Sequence, residues 1–156
     1  MEIQIDTREK QRAILKVLTE FERQGVKYVS SKLYVGDYMS FDNPRLIIDR
    51  KQSLIEVCSN VCQQHDRFIS EIKKANDIGI KLIFLVEHGG NIKTLDDVAE
   101  WKNPRLKTSP LSVSGQRLHK ILSTISKNYN VEFLFCDKRN TGKRIIELLS
   151  CCKDEI

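Results

Sequence analysis

The segment Ile80-Lys81-Leu82-Ile83-Phe84-Leu85-Val86 constrains the fold more than any other in the chain. A short apolar run rich in branched and aromatic residues, closed off by Gly79 before it and His88-Gly89-Gly90 after it, reads as a strand buried in a sheet. Such a strand needs cover, and the sequence on either side supplies it. The spacing predicts a helix from about Val61 to Asp77, with Phe68, Ile69, Ile72 and Ala75 turned inward and Gly79 ending it. Downstream, Ser114 starts a helix through Ile121 and Ile125. Val131 to Cys136 is the last strand, and a final helix lays Ile145, Leu148 and Leu149 against the sheet.

The first part of the chain reads as the rest of that sheet. Ile3-Gln4-Ile5 is a short strand, and Asp6 or Thr7 can cap a helix whose apolar positions are Ala13, Ile14, Val17, Leu18 and Phe21. Gly25 stops it. Val26 to Leu33 is β-rich, Gly36-Asp37 interrupts, and Tyr38 to Phe41 resumes. Asp42-Asn43-Pro44 is turn chemistry, so a hairpin leads into Leu46-Ile47-Ile48. Ser53, with Glu56 three residues on, has capping-box spacing. Strand and helix then alternate, which predicts an α/β fold, a mixed sheet flanked by helices. The 156 residues suit one domain over 1–156, and there is no repeat, linker or low-complexity stretch.

Composition narrows the function classes. With 40% hydrophobic and 30% charged residues the chain is globular in character. No apolar run approaches the roughly 18–20 residues of a membrane span, and the N-terminus lacks the basic and apolar regions of a signal peptide. The five cysteines are an odd number, which fits a reducing, intracellular location. Cys58, Cys62 and His65 share a helical face without a fourth ligand, so the cysteines are expected as packing residues. The net charge is +5, but its distribution says more. From Trp101 to Val131 there is no acid, while Lys102, Arg105, Lys107, Arg117, Lys120 and Lys127 are basic. That is a candidate phosphate-facing surface or an ordinary solvated face.

Gly36-Asp37, the strand Ile47-Ile48-Asp49 and Arg50-Lys51 carry the chemistry. The hairpin puts Asp37 and Asp49 on neighbouring strands, where two carboxylates can hold a hard divalent cation. Lys51 is two residues beyond Asp49, so in an extended strand both face the same way. A cation there activates water, and the lysine neutralises phosphate charge.

These residues resemble the nuclease domain of the XPF structure-specific endonucleases, within the PD-(D/E)XK superfamily. That family's signature is a GD pair, then ERK, then three residues and an Asp. The opening Ile5-Asp6-Thr7-Arg8-Glu9, the Asp66-Arg67-Phe68 triplet and the strand Leu82 to Glu87 are similar as well. The likeness is strongest over about residues 1–90. The fold it implies is a restriction-endonuclease-like mixed sheet. It implies metal ligation by Asp37, Asp49 and the backbone carbonyl of Arg50, with Lys51 as catalytic lysine and the Arg50 side chain as a phosphate or transition-state contact. Asp6 and Glu9 match acidic positions near the family's active site, as further ligands or supports, with a helix cap the alternative for Asp6. Arg8 is a DNA contact or a surface side chain, and Arg67 faces the site and DNA or bridges two acids on its helix. Two departures stand out: Asp49 replaces the family's Glu, and Ile55 falls where its last Asp should be. One inserted residue brings Glu56 into register, as that Asp's replacement or as Ser53's capping partner.

The function implied is a Mg²⁺- or Mn²⁺-dependent DNA endonuclease acting on branched or flapped DNA. A non-catalytic DNA-binding or dimerisation module and a restriction-like nuclease cutting plain duplex are the alternatives. No G-x-x-x-x-G-K-[ST] motor motif is present, nor is there length for a tandem helix-hairpin-helix module. The compact size is similar to stand-alone bacterial and phage versions, implying the cytoplasm of a bacterial or phage-infected cell. The partners implied are DNA, no membrane, and a homodimer or heterodimer through the C-terminal helices. Ile145, Leu148, Leu149, Cys151 and Cys152 are candidates for that contact. Trp101 is a candidate for base stacking, against a core or interface aromatic.

Overall fold

Six strands, β1 (Glu2–Ile5), β2 (Lys27–Ser30), β3 (Tyr38–Ser40), β4 (Asn43–Lys51), β5 (Lys81–Glu87) and β6 (Glu132–Cys136), join in one sheet of order β2-β1-β3-β4-β5-β6. The computed structural model describes residues 1–151. β3 is antiparallel to both neighbours, and the remaining pairs are parallel. All strands but β3 therefore end on the same edge, and Asp37, just before β3, joins them there.

The helices are α1 (Leu15–Arg23), α2 (Leu54–Cys58), α3 (His65–Asp77), α4 (Gly115–Tyr129) and α5 (Thr141–Leu149). Strand alternation sorts the core into two layers. Ile47, Leu82, Phe84, Val86, Phe133 and Phe135 meet α2, α3 and α4 on one face. Ile3, Ile5, Tyr38, Leu46, Ile48, Ile83 and Leu85 meet α1 and α5 on the other. The apolar run of β5 is thus buried on both sides, as its composition predicts.

Several local expectations are corrected. The first helical turns begin at Gln11, as a 3₁₀ segment to Ile14, so Asp6 and Thr7 cap nothing. β2 stops at Ser30, and the hairpin turn falls on Phe41-Asp42, with Asn43 and Pro44 already in the frayed start of β4. Pro44 has no N–H to give the ladder, which strand starts tolerate. The helix expected from Val61 begins as a π turn at Ser59–Gln63, where the Gln64 N–H donates to the Ser59 carbonyl, and α3 starts only at His65. Cys58 is buried, but the wider turn leaves Cys62 exposed, so the two do not form one packed stripe.

Ser53 and Ser114 cap α2 and α4 as expected. The long connection before α4 has its own footing. Val98 is buried, Trp101 packs at the edge of the core with His88 edge-on, and Asn103 closes a neck by donating to the Val113 carbonyl at 2.9 Å. Trp101 is therefore a core-edge aromatic. Ile145, Leu148 and Leu149 are buried against the chain's own second layer, Cys151 is exposed, and Cys152 lies outside the described residues. No helix among the described residues is long and apolar enough to cross a membrane.

Gly115 pins the connection to α4: a Cβ there would sit 2.2 Å from the Trp101 carbonyl oxygen. Gly115→Ala should cost about 1–3 kcal/mol, read as a lower urea midpoint at unchanged m-value.

Candidate active site

The register of the hairpin assembles the site. Tyr38 stands opposite Ile48, so one step outward Asp37 faces Asp49. Gly36 makes this approach possible. Its φ of +72° suits glycine, and a Cβ would lie 2.3 Å from the Ile47 side chain. Asp37 is then fixed at three points: its N–H donates to the Ile48 carbonyl, its carbonyl accepts from the Asp6 N–H, and its carboxylate accepts from the Arg50 N–H, each at 2.8 Å.

Asp37, Asp49 and Lys51 share a cleft of about 290 Å³, which Arg8, Glu9, Gln52, Glu56, Asn60, Gln64, Arg67 and Glu71 also border. A larger hollow of about 650 Å³ lies along α3 beside Tyr34, Lys73 and Tyr129, but it holds neither carboxylate of the pair. Lys51 Nζ stands 3.5 Å from Asp49 and over the rings of Phe68 and Phe84, at 5.7 and 5.8 Å. Burial, then the charges of Asp49 and Glu9, push Asp37 up to about 9.

The Arg50 side chain departs from expectation. Alternation sends it to the opposite face from Asp49 and Lys51, where it is 5% exposed and committed to two carboxylates. Its Nε donates to Glu9 at 2.8 Å and its Nη1 to Glu87 at 2.5 Å. Burial opposes the charge, but Glu9 and Glu87 hold the guanidinium above its ordinary value. Arg50 also lines the cleft, but its guanidinium is a buried tie between these two carboxylates.

Asp6 is fully buried and does not border the cleft. Its carboxylate accepts from the N–H groups of Leu33 and Arg8 and from the Arg8 side chain, anchoring the loop that leads to Gly36. Burial raises this carboxyl, but the Arg8 guanidinium and those N–H groups outweigh it and hold it below the usual range. Arg8 is 64% exposed at the cleft mouth, and Glu9 is taken up by Arg50 and the Tyr38 hydroxyl. Glu56 lines the cleft; its N–H donates to the N-cap Ser53 Oγ, but its carboxylate accepts from the Gln52 N–H at 2.7 Å, one residue ahead of the N-cap, so only half of the capping box forms. Arg67 is exposed on the cleft wall. Of the basic stretch, Arg105 borders a shallow pocket that shares Gln52 and Glu56 with the cleft. Lys102, Lys107, Arg117, Lys120 and Lys127 are exposed and stand outside it. Sequence reasoning read Glu87 only as the end of a strand and did not single out Thr141, whose hydroxyl donates to the Glu87 carboxylate at 2.6 Å. The one signal for Glu87 is an acid closing an otherwise apolar strand.

Residues 5–149 match the family described as the ERCC4 domain. The chain belongs to that family. As an ERCC4 domain it is similar in fold to two solved structures, XPF from Aeropyrum pernix and the same protein in complex with DNA. Identities are 18% and 17%, each with a TM-score of 0.67, covering 96% and 95% of this chain. The ERCC4 domain here spans 63% and 62% of the length of those chains. No curated protein sequence is detectably similar.

Among the described residues no three His, Cys, Asp or Glu side chains converge to hold a metal by themselves. The opposed pair in this ERCC4 domain still suits Mg²⁺ or Mn²⁺, because such ions need only one or two carboxylates beside water and phosphate oxygens. Burial first, and then the charges of Asp49 and Glu9, raise the Asp37 carboxyl, and a cation would offset the negative charge. Without metal, Asp37 stabilises the fold only while protonated. Its contribution is full below the ordinary 3.8 and is lost as pH climbs toward about 9. Melting in EDTA from pH 5 to 9 should therefore fall less for Asp37→Asn than for the wild type, and Mn²⁺ should remove the difference by stabilising the wild type alone.

Proposed function

We propose that this ERCC4 domain is a Mg²⁺- or Mn²⁺-dependent DNA endonuclease that hydrolyses phosphodiester bonds in branched or flapped DNA. The observation that carries the reading is the convergence of Asp37, Asp49 and Lys51 on one face of two adjoining strands, inside one cleft. A non-catalytic module has no need of two carboxylates pressed together in a partly buried site.

Asp37 and Asp49 would hold the cation, together with the Arg50 backbone carbonyl. A divalent ion there supplies Lewis-acid polarisation of the phosphodiester. Lys51 neutralises charge gathering on the phosphate and orients the attacking water, its ammonium steadied by Asp49 and two aromatic faces. Arg8 and Arg67 at the cleft border, and Arg105 beyond Glu56, extend positive charge along the path of the backbone.

The DNA reading draws on family membership and on the Aeropyrum pernix protein, whose structure is known with DNA. Selectivity for branches is assigned to the exposed basic stretch Lys102, Arg105, Lys107, Arg117 and Lys120.

In a panel of flaps, forks, junctions and linear duplex with Mg²⁺ or Mn²⁺, the wild type should cut branched forms preferentially. Asp49→Ala and Lys51→Ala should each lower the rate at least about 100-fold with the circular dichroism spectrum retained. Equal cutting of plain duplex at one sequence would favour the restriction-like reading, and undiminished cutting by both variants would sink the assignment of the site.

A further inference from the structure

The structure joins the catalytic strand to the C-terminal helix through buried charges at the sheet edge, of which Glu9 also borders the cleft. Glu87, at the end of β5, accepts from Arg50 Nη1 on one carboxylate oxygen at 2.5 Å and from the Thr141 hydroxyl on the other at 2.6 Å. Thr141 is the first residue of α5 and is itself fully buried. The other edge of the Arg50 guanidinium is held by Glu9, which also accepts from the Tyr38 hydroxyl at 3.0 Å. Four segments thus converge on the guanidinium that β4 carries, the turn after β1 and β5 directly, β3 and α5 through the two carboxylates. Side-chain exposures of Arg50, Glu9 and Glu87 are 5%, 8% and 3%.

Stability alone is a poor reason for this arrangement. A buried ion pair roughly breaks even against apolar residues of the same volume, and here two carboxylates face one guanidinium, with only hydroxyls to share the excess charge. Position is a better reason. Arg50 lies between Asp49 and Lys51, and its N–H is the donor that holds the Asp37 carboxylate. Rotation or retreat of Arg50 moves both flanking side chains and releases Asp37, so the guanidinium sets the geometry of the opposite face through the backbone.

The geometry points to Glu87 and Thr141 as positioning residues for the cleft: Glu87 clamps Arg50 from β5, and Thr141 orients Glu87 from α5. This rests on the nuclease reading of the cleft and adds to it a dependence on a helix that does not border the site. Neither residue borders the cleft.

Glu87→Gln is close to isosteric. Its oxygen can still accept from Arg50, and its amide can donate to Thr141 Oγ while that hydroxyl turns to the Lys138 carbonyl, already 3.1 Å away. The variant therefore removes charge more than shape. Thr141→Val removes the hydroxyl, and Thr141→Ser restores it. Two readouts apply to the full chain: Mn²⁺ affinity by electron paramagnetic resonance without DNA, and kcat and KM on the wild type's best substrate. Glu87→Gln should weaken Mn²⁺ binding and lower kcat, each by about 10–100-fold, with KM for DNA unchanged. Thr141→Val should give the same pattern to a smaller extent, and Thr141→Ser should recover it. Wild-type Mn²⁺ affinity and kcat in both Glu87→Gln and Thr141→Val would overturn the proposal, even with a lowered melting temperature. If Glu87→Gln does not fold, Thr141→Val against Thr141→Ser decides. Failure of the wild type itself to bind Mn²⁺ or cut DNA would instead fell the nuclease reading, so the two failures are separable.

Discussion

Side chains of an extended strand alternate between two faces, and in β4 that alternation divides labour among three consecutive residues. Asp49 and Lys51 go to the face roofed by α2 and α3, where Asp37 meets them across the hairpin. The Arg50 side chain goes to the other face and is tied there by Glu9 and Glu87. One strand thus builds the floor of the cleft and the tie that holds it, and a slip of one residue in register would exchange the two. The pairing of Tyr38 with Ile48, and the tight approach of Gly36 to Ile47, fix that register.

Electrostatics follow from this division. On the cleft side, Asp37 and Asp49 repel each other in a partly buried site, with Lys51 and the more exposed Arg8 near them. Around Arg50, two acids, Glu9 and Glu87, meet one base. The structure accumulates negative charge on both faces of the sheet edge where its parallel strands end, and exposed cations such as Arg8, Arg67 and Arg105 lie around it. A polyanion approaching that edge meets the cations first.

Much of this was legible in the sequence. The apolar run of β5, the hairpin, the capping serines at Ser53 and Ser114, and the opposition of Asp37 and Asp49 follow from period and turn chemistry. Three things did not. The π turn at Ser59–Gln63 has no compositional mark, since Ser, Asn and Gln fit either helix type. The start of the first helix was misplaced because Asp6 has the residue type of a cap, yet its carboxylate is claimed by the Leu33 N–H, a partner far away in sequence. The role of the Arg50 side chain comes from the family resemblance, although the period that puts Asp49 and Lys51 together already assigns that side chain to the other side.

The neck closed by Asn103 has a consequence for how such a chain can vary. Because the Asn103 amide holds Val113, the ends of the intervening segment are already brought together, and the buried Val98 roots the approach to it. Lengthening a loop whose ends are fixed costs little, about 0.6 kcal/mol for each doubling. Residues 104–112 are therefore a place where insertions can accumulate with little penalty to the sheet. The same segment carries Arg105 beside the cleft, so diversification there would alter what the domain grips and leave the carboxylate pair untouched.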